Sequence, residues 1–366
     1  MVTVKHLKPY FQGKNVVVTG HTGFKGAWLI QILQHLGANI SGFALEPEHP
    51  EDLYNQIDGE QICKKSVLHN LCDAPAVQQF IISAEPDYIF HMAAQPLVLR
   101  GYKEPLYTFN VNAQGTANLL DAIRTLDKPC VCVCITTDKV YANNDSGKAF
   151  VESDALGGYD PYSASKAAAE IIIESYRSSF FNNANYDKHR KSIASVRAGN
   201  VIGGGDFADN RIIPDIVKAL RSGDAIELRN PAATRPWQHV IEPLGAYLLL
   251  AAKMHDEPTK YNTAYNIGPV PADVIPVSSL VDIAIDVWGS GTWKDISTAD
   301  QPHEAQALTL DITKIKHELA WQPKLAVNDA IKHTIQWYKD DAEASVKCLQ
   351  LIRTYFEANI NDADDH

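Results

Sequence analysis

Short apolar runs alternate with amphipathic stretches through the first two hundred residues of the chain. The runs NVVVTG, ANISGFAL, DYIFHMAA, VCVCITT and SIASVRAGN have the composition of β-strands, and the spacing between them predicts helices near residues 27–36 and 112–124. Strands that alternate with helices form βαβ units. Because such crossovers are right-handed, the predicted fold is an α/β protein with a doubly wound, parallel sheet of the Rossmann type.

The pattern changes after Asn200. A GGGD turn, several prolines and short apolar runs follow, with amphipathic stretches that predict helices near residues 213–221, 278–288 and 327–339. We interpret this part as a smaller α/β substrate-binding domain that covers the carboxyl ends of the strands. The predicted sheet domain is residues 1–198 with about 236–268, and the predicted smaller domain is about 199–235 with 269–360.

Composition limits the classes of function. The 366 residues are 45% apolar, enough for a large core, and carry a formal net charge of -11. Affinity for polyphosphate depends on clustered Lys and Arg, so an acidic chain with scattered lysines argues against nucleic acid or an anionic membrane as partner. No apolar run approaches the roughly 18 residues that span a bilayer, and MVTVKHLKPYFQGK lacks the apolar core of a signal peptide. We therefore expect a cytoplasmic protein.

The cysteines have two interpretations. Six in a chain of this length are too few for a disulfide scaffold, so we expect them to be reduced. Cys130, Cys132 and Cys134 alternate along a predicted strand and would project from one face, as metal ligands or as core thiols. Small buried thiols are common in core strands, and the sequence has no paired CxxC or HxxxH to complete a metal site. We therefore expect no metal.

A glycine-rich turn follows the first predicted strand. TGHTGFKG places glycines at positions 20, 23 and 26, directly before the next predicted helix. Glycine here permits a tight turn, lets the backbone approach a pyrophosphate and allows close packing of the helix, whose N-terminus attracts the anion. The turn therefore predicts a dinucleotide site. Its spacing, GxxGxxG, resembles the extended branch of the short-chain dehydrogenase/reductase family.

The second predicted strand bears on which dinucleotide is bound. An acidic residue at the end of this strand usually holds the adenosine ribose, but GFALEP places Ala44 there, with Glu46 as a weak substitute. This stretch also has no basic pair to bind a ribose phosphate. We therefore expect NAD rather than NADP, held loosely. His21 and Lys25 either add positive charge beside the pyrophosphate or are solvated side chains.

The motif YSASK predicts acid–base chemistry. Tyr162 and Lys166 lie four residues apart on a predicted helix and so share one face. A phenol titrates near pH 10, but a nearby ammonium and the positive ring of a bound cofactor favour the phenolate and lower its pKa. Tyr162 can then take a proton from a sugar hydroxyl. This pair stands where the extended short-chain dehydrogenases carry their catalytic tyrosine and lysine.

The same resemblance gives a role to the stretch ITTDKVY. In this family that strand end lies beside the nicotinamide, which implies that Thr136 and Thr137 hydrogen-bond the reacting hydroxyl. In this stretch, nucleotide-sugar 4-epimerases usually have small hydroxyl residues and need no further acid. The 4,6-dehydratases instead have an acid that protonates the departing C6 hydroxyl and a base that removes the C5 proton. Asp138 and Lys139 stand in this place. Lys139 is then the C5 base, a cation that stabilises an enolate, or an inert solvated lysine.

Further motifs narrow the resemblance to one group. GHTGFKG, TTDKVY, DPYSASK, RAGNVIGGGD, RPWQHV and QPHEAQALTLDITKIKHELAWQP resemble the CDP-glucose 4,6-dehydratases, from residue 19 to about residue 323. The resemblance implies that C4 of the sugar is oxidised, water is lost across C5 and C6, and C6 is then reduced, with NAD restored in place. It also implies a role in deoxysugar synthesis for lipopolysaccharide. Cytosine as the base rests on the resemblance alone.

The resemblance also implies the remaining site residues. The catalytic set is Thr137, Asp138, Lys139, Tyr162 and Lys166. The cofactor contacts are Gly20, His21, Gly23, Phe24, Lys25, Gly26, Asn70, Leu71, Ala93, Ala94, Thr136, Tyr162 and Lys166. The substrate contacts are Gln95, Asn200, Arg211, Arg235 and His303, of which the two guanidinium groups suit phosphate oxygens.

Four further residues, His91, Trp237, His303 and Glu304, each have an interpretation that requires no bound ligand. His303 and Glu304 either close over the sugar nucleotide or form a loop salt bridge. His91, before a turn of small residues, is expected to be a packed histidine rather than a catalytic one. Trp237 is expected in the core rather than stacked on the base.

The resemblance implies a homodimer, with amphipathic helices near residues 108–124 and 162–180 paired between subunits.

Two rival functions remain. A nucleotide-sugar 4-epimerase would share the fold, NAD and the Tyr162–Lys166 pair, but Asp138 and Lys139 argue against it. A non-catalytic NAD-sensing protein typically loses the tyrosine or the lysine, and this chain has both.

Overall fold

The computed structural model describes residues 2–143, 147–208, 211–298 and 308–357. The strands are β1 (Asn15–Thr19), β2 (Asn39–Ala44), β3 (Lys65–Leu68), β4 (Tyr88–His91), β5 (Cys130–Ile135), β6 (Lys191–Ala198), β7 (Val201–Ile202), β8 (Ile226–Leu228), β9 (Thr234–Pro236), β10 (Gln238–His239), β11 (Ala264–Ile267), β12 (Val274–Pro276) and β13 (Trp293–Asp295).

The α-helices are α1 (Val4–Phe11), α2 (Phe24–His35), α3 (Leu53–Gln56), α4 (Gly59–Ile62), α5 (Ala74–Ala84), α6 (Val98–Lys103), α7 (Pro105–Phe109), α8 (Gly115–Arg124), α9 (Pro161–Ser179), α10 (Tyr186–His189), α11 (Ile212–Ser222), α12 (Ile241–Asp256), α13 (Val277–Trp288), α14 (Thr313–Leu319), α15 (Val327–Lys339) and α16 (Ala344–Glu357). A π-helical turn spans Asn110–Gln114, and 3₁₀ turns span Asp138–Val140, Asn183–Asn185 and Pro271–Asp273.

The central sheet is parallel and has the strand order β11-β6-β5-β4-β1-β2-β3. The chain starts in the middle at β1, runs to one edge through β2 and β3, and then crosses to β4 on the other side of β1. The order thus reverses between β1 and β4. Ligands of such sheets bind at the carboxyl ends of the strands beside this switch point. The predicted doubly wound Rossmann-type fold is confirmed.

The sheet is buried on both faces, as expected for parallel strands covered by helices. Val16 and Val18 of β1 lie in one hydrophobic core with α1, α2 and α12, whereas Val17 lies in a second core with α5, α8 and α9. Successive side chains of a strand point to opposite faces, so this alternation fixes which helices cover which face. Helix α9, which carries the YSASK motif, therefore lies on the same face as α8.

A second region of the structure lies after β6 along the chain and consists of two-stranded ribbons and helices. β7 pairs with β10, β9 with β12 and β8 with β13. Helices α11, α13 and α15 agree with the helices predicted near 213–221, 278–288 and 327–339. A buried carboxylate links this region to α12, because Glu242 accepts hydrogen bonds from the backbone of Lys324 and Leu325 and from the Tyr355 hydroxyl at 2.6 to 2.7 Å. The exact domain boundaries remain a prediction.

The predicted helix near residues 112–124 differs at its start. The π-helical turn Asn110–Gln114 precedes α8, and the Asn112 side chain lies in it. Its amide bonds both backbone groups of Gln95 at 2.8 and 3.1 Å and the Ser165 hydroxyl at 2.9 Å. Contacts with such distant residues leave no mark on local periodicity.

Within the described ranges, no helix is long and apolar enough to cross a membrane.

Candidate active site

The glycine turn joins β1 to α2 at the switch point. Gly20 has a φ of +74°, and a Cβ there would lie 2.7 Å from the backbone nitrogen of Ala93. A Cβ on Gly26 would lie 2.1 Å from the carbonyl oxygen of Gly20. Gly23, by contrast, is exposed at the N-cap of α2, and its Cβ would meet only an ordinary contact at 3.5 Å. Gly20 and Gly26 shape the turn, and Gly23 leaves the backbone open to a pyrophosphate at the helix N-terminus.

His21 does not supply charge to this turn. Its ring is fully buried, its Nε2 lies 2.8 Å from Ser66 Oγ, and a Cβ on Gly42 would approach the ring to 2.3 Å. Burial lowers the pKa of His21 to about 4, so the ring is neutral at neutral pH. Both sequence interpretations of His21, as a cation and as a solvated side chain, are wrong. Side chains from β2 and β3 enclose it, and a local motif does not show them.

Lys25 and Phe24, which begin α2, face the second region. Burial, with the charges of Arg211 and Lys166, lowers the pKa of Lys25 to about 8. Phe24 borders Gly203, where a Cβ would lie 3.1 Å from the phenyl ring. The glycine turn and the loop that follows β7 therefore line the same cleft.

The structure places Ala44 at the end of β2, as the sequence predicted. Ala44 is the last residue of that strand and is buried, while Glu46 is exposed beyond it. Asn70 is exposed, and its side-chain oxygen accepts a hydrogen bond from the backbone of Cys72 at 2.9 Å. A carbonyl oxygen has two lone pairs, so this bond leaves one acceptor position for an adenine amine.

Three other predicted cofactor contacts follow the ends of β3 and β4, namely Leu71, Ala93 and Ala94. Leu71 is buried against Gly115, where a Cβ would lie 2.7 Å from the leucine side chain. The backbone nitrogen of Ala93 donates to Thr19 Oγ1 at 3.2 Å, and Ala94 is half-buried next to it. Small residues at 93 and 94 thus keep the floor of the cleft close to Gly20.

The catalytic turn, which we define as residues 136–141, begins where β5 ends. Thr137 donates its hydroxyl proton to Asp138 Oδ1 at 2.9 Å and caps the 3₁₀ turn that follows. Asp138 is almost fully buried, and the Lys139 ammonium lies 3.2 Å from its Oδ1. Lys139 Nζ also donates to Asn200 Oδ1 at 3.4 Å. Asp138 and Lys139 therefore form an ion pair at the carboxyl end of a central strand.

Helix α9 brings the second pair to the same place. Asp160 caps its first turn through a 3.0 Å bond from the Ser163 backbone, and Pro161 fits the first helical position. Tyr162 is buried, and its hydroxyl is hydrogen-bonded with Thr137. Lys166, one turn later on the same face, donates to the carbonyl oxygen of Ile135 at 3.2 Å. Both catalytic motifs thus meet at the end of β5.

The charges around Tyr162 differ from the sequence prediction. Burial keeps the pKa of Tyr162 raised, although the Lys139 ammonium and the Thr137 hydrogen bond oppose it. Lys139, rather than Lys166, is the cation that acts most strongly on the phenol. Burial lowers the pKa of Lys166 to about 8, and its ammonium is turned toward the Ile135 carbonyl. Desolvation outweighs these cations, and the lowered Tyr162 pKa expected beside a bound cofactor stays a prediction.

Lys139 keeps its proton in this setting. Burial by itself would lower its pKa, but the Asp138 carboxylate and Tyr162 outweigh burial and leave the pKa of Lys139 raised. The inert, solvated interpretation of Lys139 does not fit this geometry. Its nitrogen lies among Asp138, Asn200 and Tyr162.

The predicted phosphate-binding arginines approach this centre from the second region. Arg211 forms a 2.9 Å ion pair with Asp206, and its charge acts on Tyr162. Arg235 lies in β9, donates to the Thr234 carbonyl at 2.9 Å and acts electrostatically on Lys139. The structure therefore places both guanidinium groups near the catalytic turn, and their role as phosphate contacts stays a prediction.

The structure does not test two of the predicted substrate contacts, Gln95 and His303. Gln95 is buried, and both ends of its side-chain amide bond within the protein, to Thr108 Oγ1 at 2.9 Å and to the Leu97 backbone at 2.6 Å. Its role as a substrate contact stays a prediction, and the bonds seen here position the loop after β4. His303, with Glu304, lies outside the described residues.

The packed-histidine prediction is confirmed. His91 lies 2.8 Å from Thr19 Oγ1 and 3.0 Å from Thr116 Oγ1, and burial lowers its pKa to about 3. Trp237 is buried in the first core, as expected.

The three alternating cysteines do share one face of β5. They lie in the core formed with α5 and α8, and burial raises the pKa of Cys130 to about 12. Among the residues described, no group of three His, Cys, Asp or Glu side chains could hold a metal ion.

Sequence reasoning missed three residues that shape the site. Asp206 pairs with Arg211, and its position at the end of the GGGD turn was the available signal. Glu170 and Arg197 form a buried ion pair beside the catalytic turn at 2.9 Å. Glu170 stands four residues after Lys166 on the same helix face, a spacing that could have indicated an inward carboxylate.

Comparison with known proteins agrees with this geometry. The family model described as GDP-mannose 4,6 dehydratase matches residues 17–334. The chain is 39% identical over 332 residues to the CDP-glucose 4,6-dehydratase of Salmonella typhimurium, covering 91% of this chain and 92% of that protein. It is 25% identical to the UDP-glucose 4-epimerase of Mycoplasma pneumoniae, covering 89% and 96%.

A solved structure with a similar fold is the dTDP-glucose 4,6-dehydratase from Streptomyces venezuelae with NAD bound, with a TM-score of 0.75, 23% identity and coverage of 89% of this chain and 97% of that chain. At this identity the likeness shows the fold, which agrees with the parallel sheet described above. The match of the family model over most of the chain shows more. The chain belongs to the GDP-mannose 4,6 dehydratase family.

Proposed function

We propose that this chain is an NAD-dependent hydro-lyase that converts CDP-D-glucose to CDP-4-keto-6-deoxy-D-glucose. The observation that carries the proposal is the ion pair between buried Asp138 and half-buried Lys139, 3.2 Å apart and next to Tyr162. An epimerase needs a base at C4, whereas elimination of water also needs an acid and a base at C5 and C6. The 39% identical relative named for this reaction supports CDP-glucose as the substrate.

Oxidation at C4 rests on Tyr162. Its hydroxyl lies against Thr137 and close to the Lys139 charge, so a C4 hydroxyl bound there can pass its proton to the phenolate. NAD held at the glycine turn by the backbone around Gly20 and Gly23 would supply a hydride acceptor for C4, a hydride donor for C6 and a positive ring that favours the phenolate. Lys166 fixes the position of α9 relative to the end of β5 through its hydrogen bond to the Ile135 carbonyl.

Elimination rests on the Asp138–Lys139 pair. An ammonium is unable to accept the C5 proton, and a carboxylate is unable to donate one to the C6 hydroxyl. Transfer of one proton from Lys139 Nζ to Asp138 Oδ1, across 3.2 Å, gives an amine and a carboxylic acid. The amine removes the C5 proton, the acid protonates the departing hydroxyl, and the new ammonium, whose protons exchange with solvent, gives a proton to C5 as C6 is reduced. In this proposal Lys139 is the base, and its charged form stabilises the developing enolate.

The substrate phosphates are assigned to Arg211 and Arg235. Both guanidinium groups act electrostatically on catalytic residues, so both lie near the sugar site. Asp206 orients Arg211 through a 2.9 Å ion pair, and Arg235 is fixed within the β9–β12 ribbon. A planar guanidinium fork matches two phosphate oxygens at once. Asn200, which holds Lys139, is assigned to the sugar.

A homodimer formed through the predicted stretch 108–124, together with α7 that leads into it, and through α9 is part of the proposal. Leu106 is 85% exposed and Ile171 is 59% exposed, and Phe109 is also exposed. Apolar side chains at this exposure on neighbouring helices are typical of an interface, and a second copy of the chain is the usual partner.

Mass spectrometry tests the function. CDP-glucose is incubated with the protein and NAD in heavy water, with the UDP, dTDP and GDP sugars in parallel. We expect loss of one water and retention of one solvent deuteron on the sugar, for CDP-glucose alone. A product of unchanged mass that NMR shows to be inverted at C4 would instead show an epimerase, and dehydration of another nucleotide sugar would move the base assignment.

A further inference from the structure

One buried ion pair holds the catalytic turn at both ends. Glu170 of α9 and Arg197 of β6 are 2% and 4% exposed, and Arg197 Nη2 lies 2.9 Å from Glu170 Oε2. At the start of the turn, Thr136 donates its hydroxyl proton to Glu170 Oε1 at 2.5 Å. At its end, Arg197 Nη1 donates to the Tyr141 hydroxyl at 2.9 Å, with the guanidinium 5.0 Å from the centre of that ring. The first and last residues of the turn are thus each bound to one member of the pair.

The pair also connects the two catalytic elements. Glu170 follows Tyr162 by two helical turns and Lys166 by one, so all three project from the same face of α9. Asp138 and Lys139 lie inside the turn that Glu170 and Arg197 hold. The relative position of Tyr162 and the Asp138–Lys139 pair therefore depends on this contact between α9 and the turn.

We propose that Glu170 and Arg197 are positioning residues that set Asp138 and Lys139 for elimination, an inference that rests on the proposed dehydration. Glu170 and Arg197 each have further hydrogen-bond partners. Ser195 Oγ donates to Glu170 at 2.8 Å, and Arg197 Nη1 also donates to the Glu152 carbonyl at 3.0 Å. Such a network fixes directions as well as distances.

Stability alone does not account for the pair. Replacing a buried ion pair by apolar residues of similar volume is often neutral or stabilising, whereas removing one partner is strongly destabilising. The geometry that the pair imposes on the turn is therefore its specific contribution. Tyr141 extends this geometry, because its hydroxyl donates to Asn266 Oδ1 at 2.6 Å, and Asn266 in turn bonds the carbonyl of Phe150 at 2.8 Å.

A displaced turn should impair elimination more than oxidation. Tyr162 is carried by α9, whereas Asp138 and Lys139 depend on the turn. Kinetic isotope effects separate the two steps, with CDP-glucose deuterated at C4 reporting oxidation and at C5 reporting elimination. These effects are ratios of rates on one protein sample, so they do not depend on the fraction of molecules that are folded.

The test compares Glu170→Gln and Tyr141→Phe with wild type and with Glu174→Gln, an exposed glutamate on the same helix. We expect a kcat lower by about 10²-fold for Glu170→Gln, in line with the effect of displacing a catalytic group by about 1 Å, and a smaller loss for Tyr141→Phe. In both, the C5 isotope effect should rise and the C4 effect should fall toward one, with KM little changed. Glu174→Gln should match wild type.

Unchanged isotope effects in both variants, with kcat reduced only in proportion to folded protein, would overturn the inference. Tyr141→Phe keeps this test open if Glu170→Gln does not fold, because it removes a single hydroxyl. The double variant Glu170→Gln/Arg197→Met should regain thermal stability and still show the altered isotope effects. If wild type itself does not dehydrate CDP-glucose, the proposed function fails, and this inference falls with it.

Discussion

The glycine turn and the catalytic turn lie at the carboxyl ends of neighbouring parts of one sheet, but they are built differently. The glycine turn is fixed by its own backbone, because Gly20 and Gly26 pack against atoms where a Cβ would lie within 3 Å. The catalytic turn is fixed by side chains from elsewhere in the chain, namely Glu170, Arg197 and Asn200. A ligand-binding loop made of backbone is readable in a short motif. A catalytic turn made of side chains depends on distant residues.

The largest expected effect concerns the catalytic turn. Asp138→Asn keeps the shape of the side chain but removes the acid, so dehydration of CDP-glucose should fall by about 10² to 10⁴-fold. NAD binding at the glycine turn should be unchanged, since the two turns are built independently. Steady-state turnover and calorimetric titration with NAD measure the two properties on the same samples. Equal loss of both would break the distinction between the turns.

The glycine turn should show the reverse pattern. A Cβ in Gly26→Ala would lie 2.1 Å from the Gly20 carbonyl, so the backbone must move. Overpacking of this kind costs about 1–3 kcal/mol, and we expect a lower melting temperature and a large loss of NAD affinity. Gly268→Ala is the matched control, because its Cβ would approach other atoms no closer than 3.8 Å. A Gly26→Ala protein with wild-type NAD affinity would contradict the assignment of the turn.

His21 should give the smallest effect, on stability against pH. Burial lowers its pKa from 6.5 to about 4, so between these pH values the unfolded chain binds one more proton than the folded chain. The free energy of unfolding should therefore fall as the pH falls through this window, by at most about 1.4 kcal/mol per pH unit. Urea denaturation at pH 7 and pH 5 should show a shallower fall for His21→Asn than for wild type. The exposed His255→Asn should keep the wild-type slope.

The same contrast explains what the sequence could predict. The parallel sheet follows from the alternation of strands and helices, and the glycine turn from its own spacing. The same holds for the Tyr162–Lys166 face, which depends only on helical periodicity. The neutral, enclosed ring of His21 depends on Ser66 and Gly42, so neither alternative drawn from the sequence, a cation or a solvated side chain, fits the structure.

The catalytic turn shows the same limit. The motif TTDKVY placed an acid beside an amine, which the structure confirms as an ion pair. It gave no sign that Lys139, rather than Lys166, acts most strongly on Tyr162. Desolvation and the direction of a lysine side chain are properties of the folded chain. The resemblance supplied site residues such as Gln95 and Arg211. Their contacts within the protein are seen only in the structure.

The most direct measurement of the central claim is exchange of the C5 proton with heavy water, followed by NMR of the sugar nucleotide. If Lys139 is the base and Asp138 the acid, Lys139→Met should abolish deuterium uptake at C5. Asp138→Asn should still exchange C5 into recovered CDP-glucose while forming little product, because Lys139 loses the carboxylate that favours its charged form. Undiminished uptake in Lys139→Met would contradict the account and assign the base to another residue.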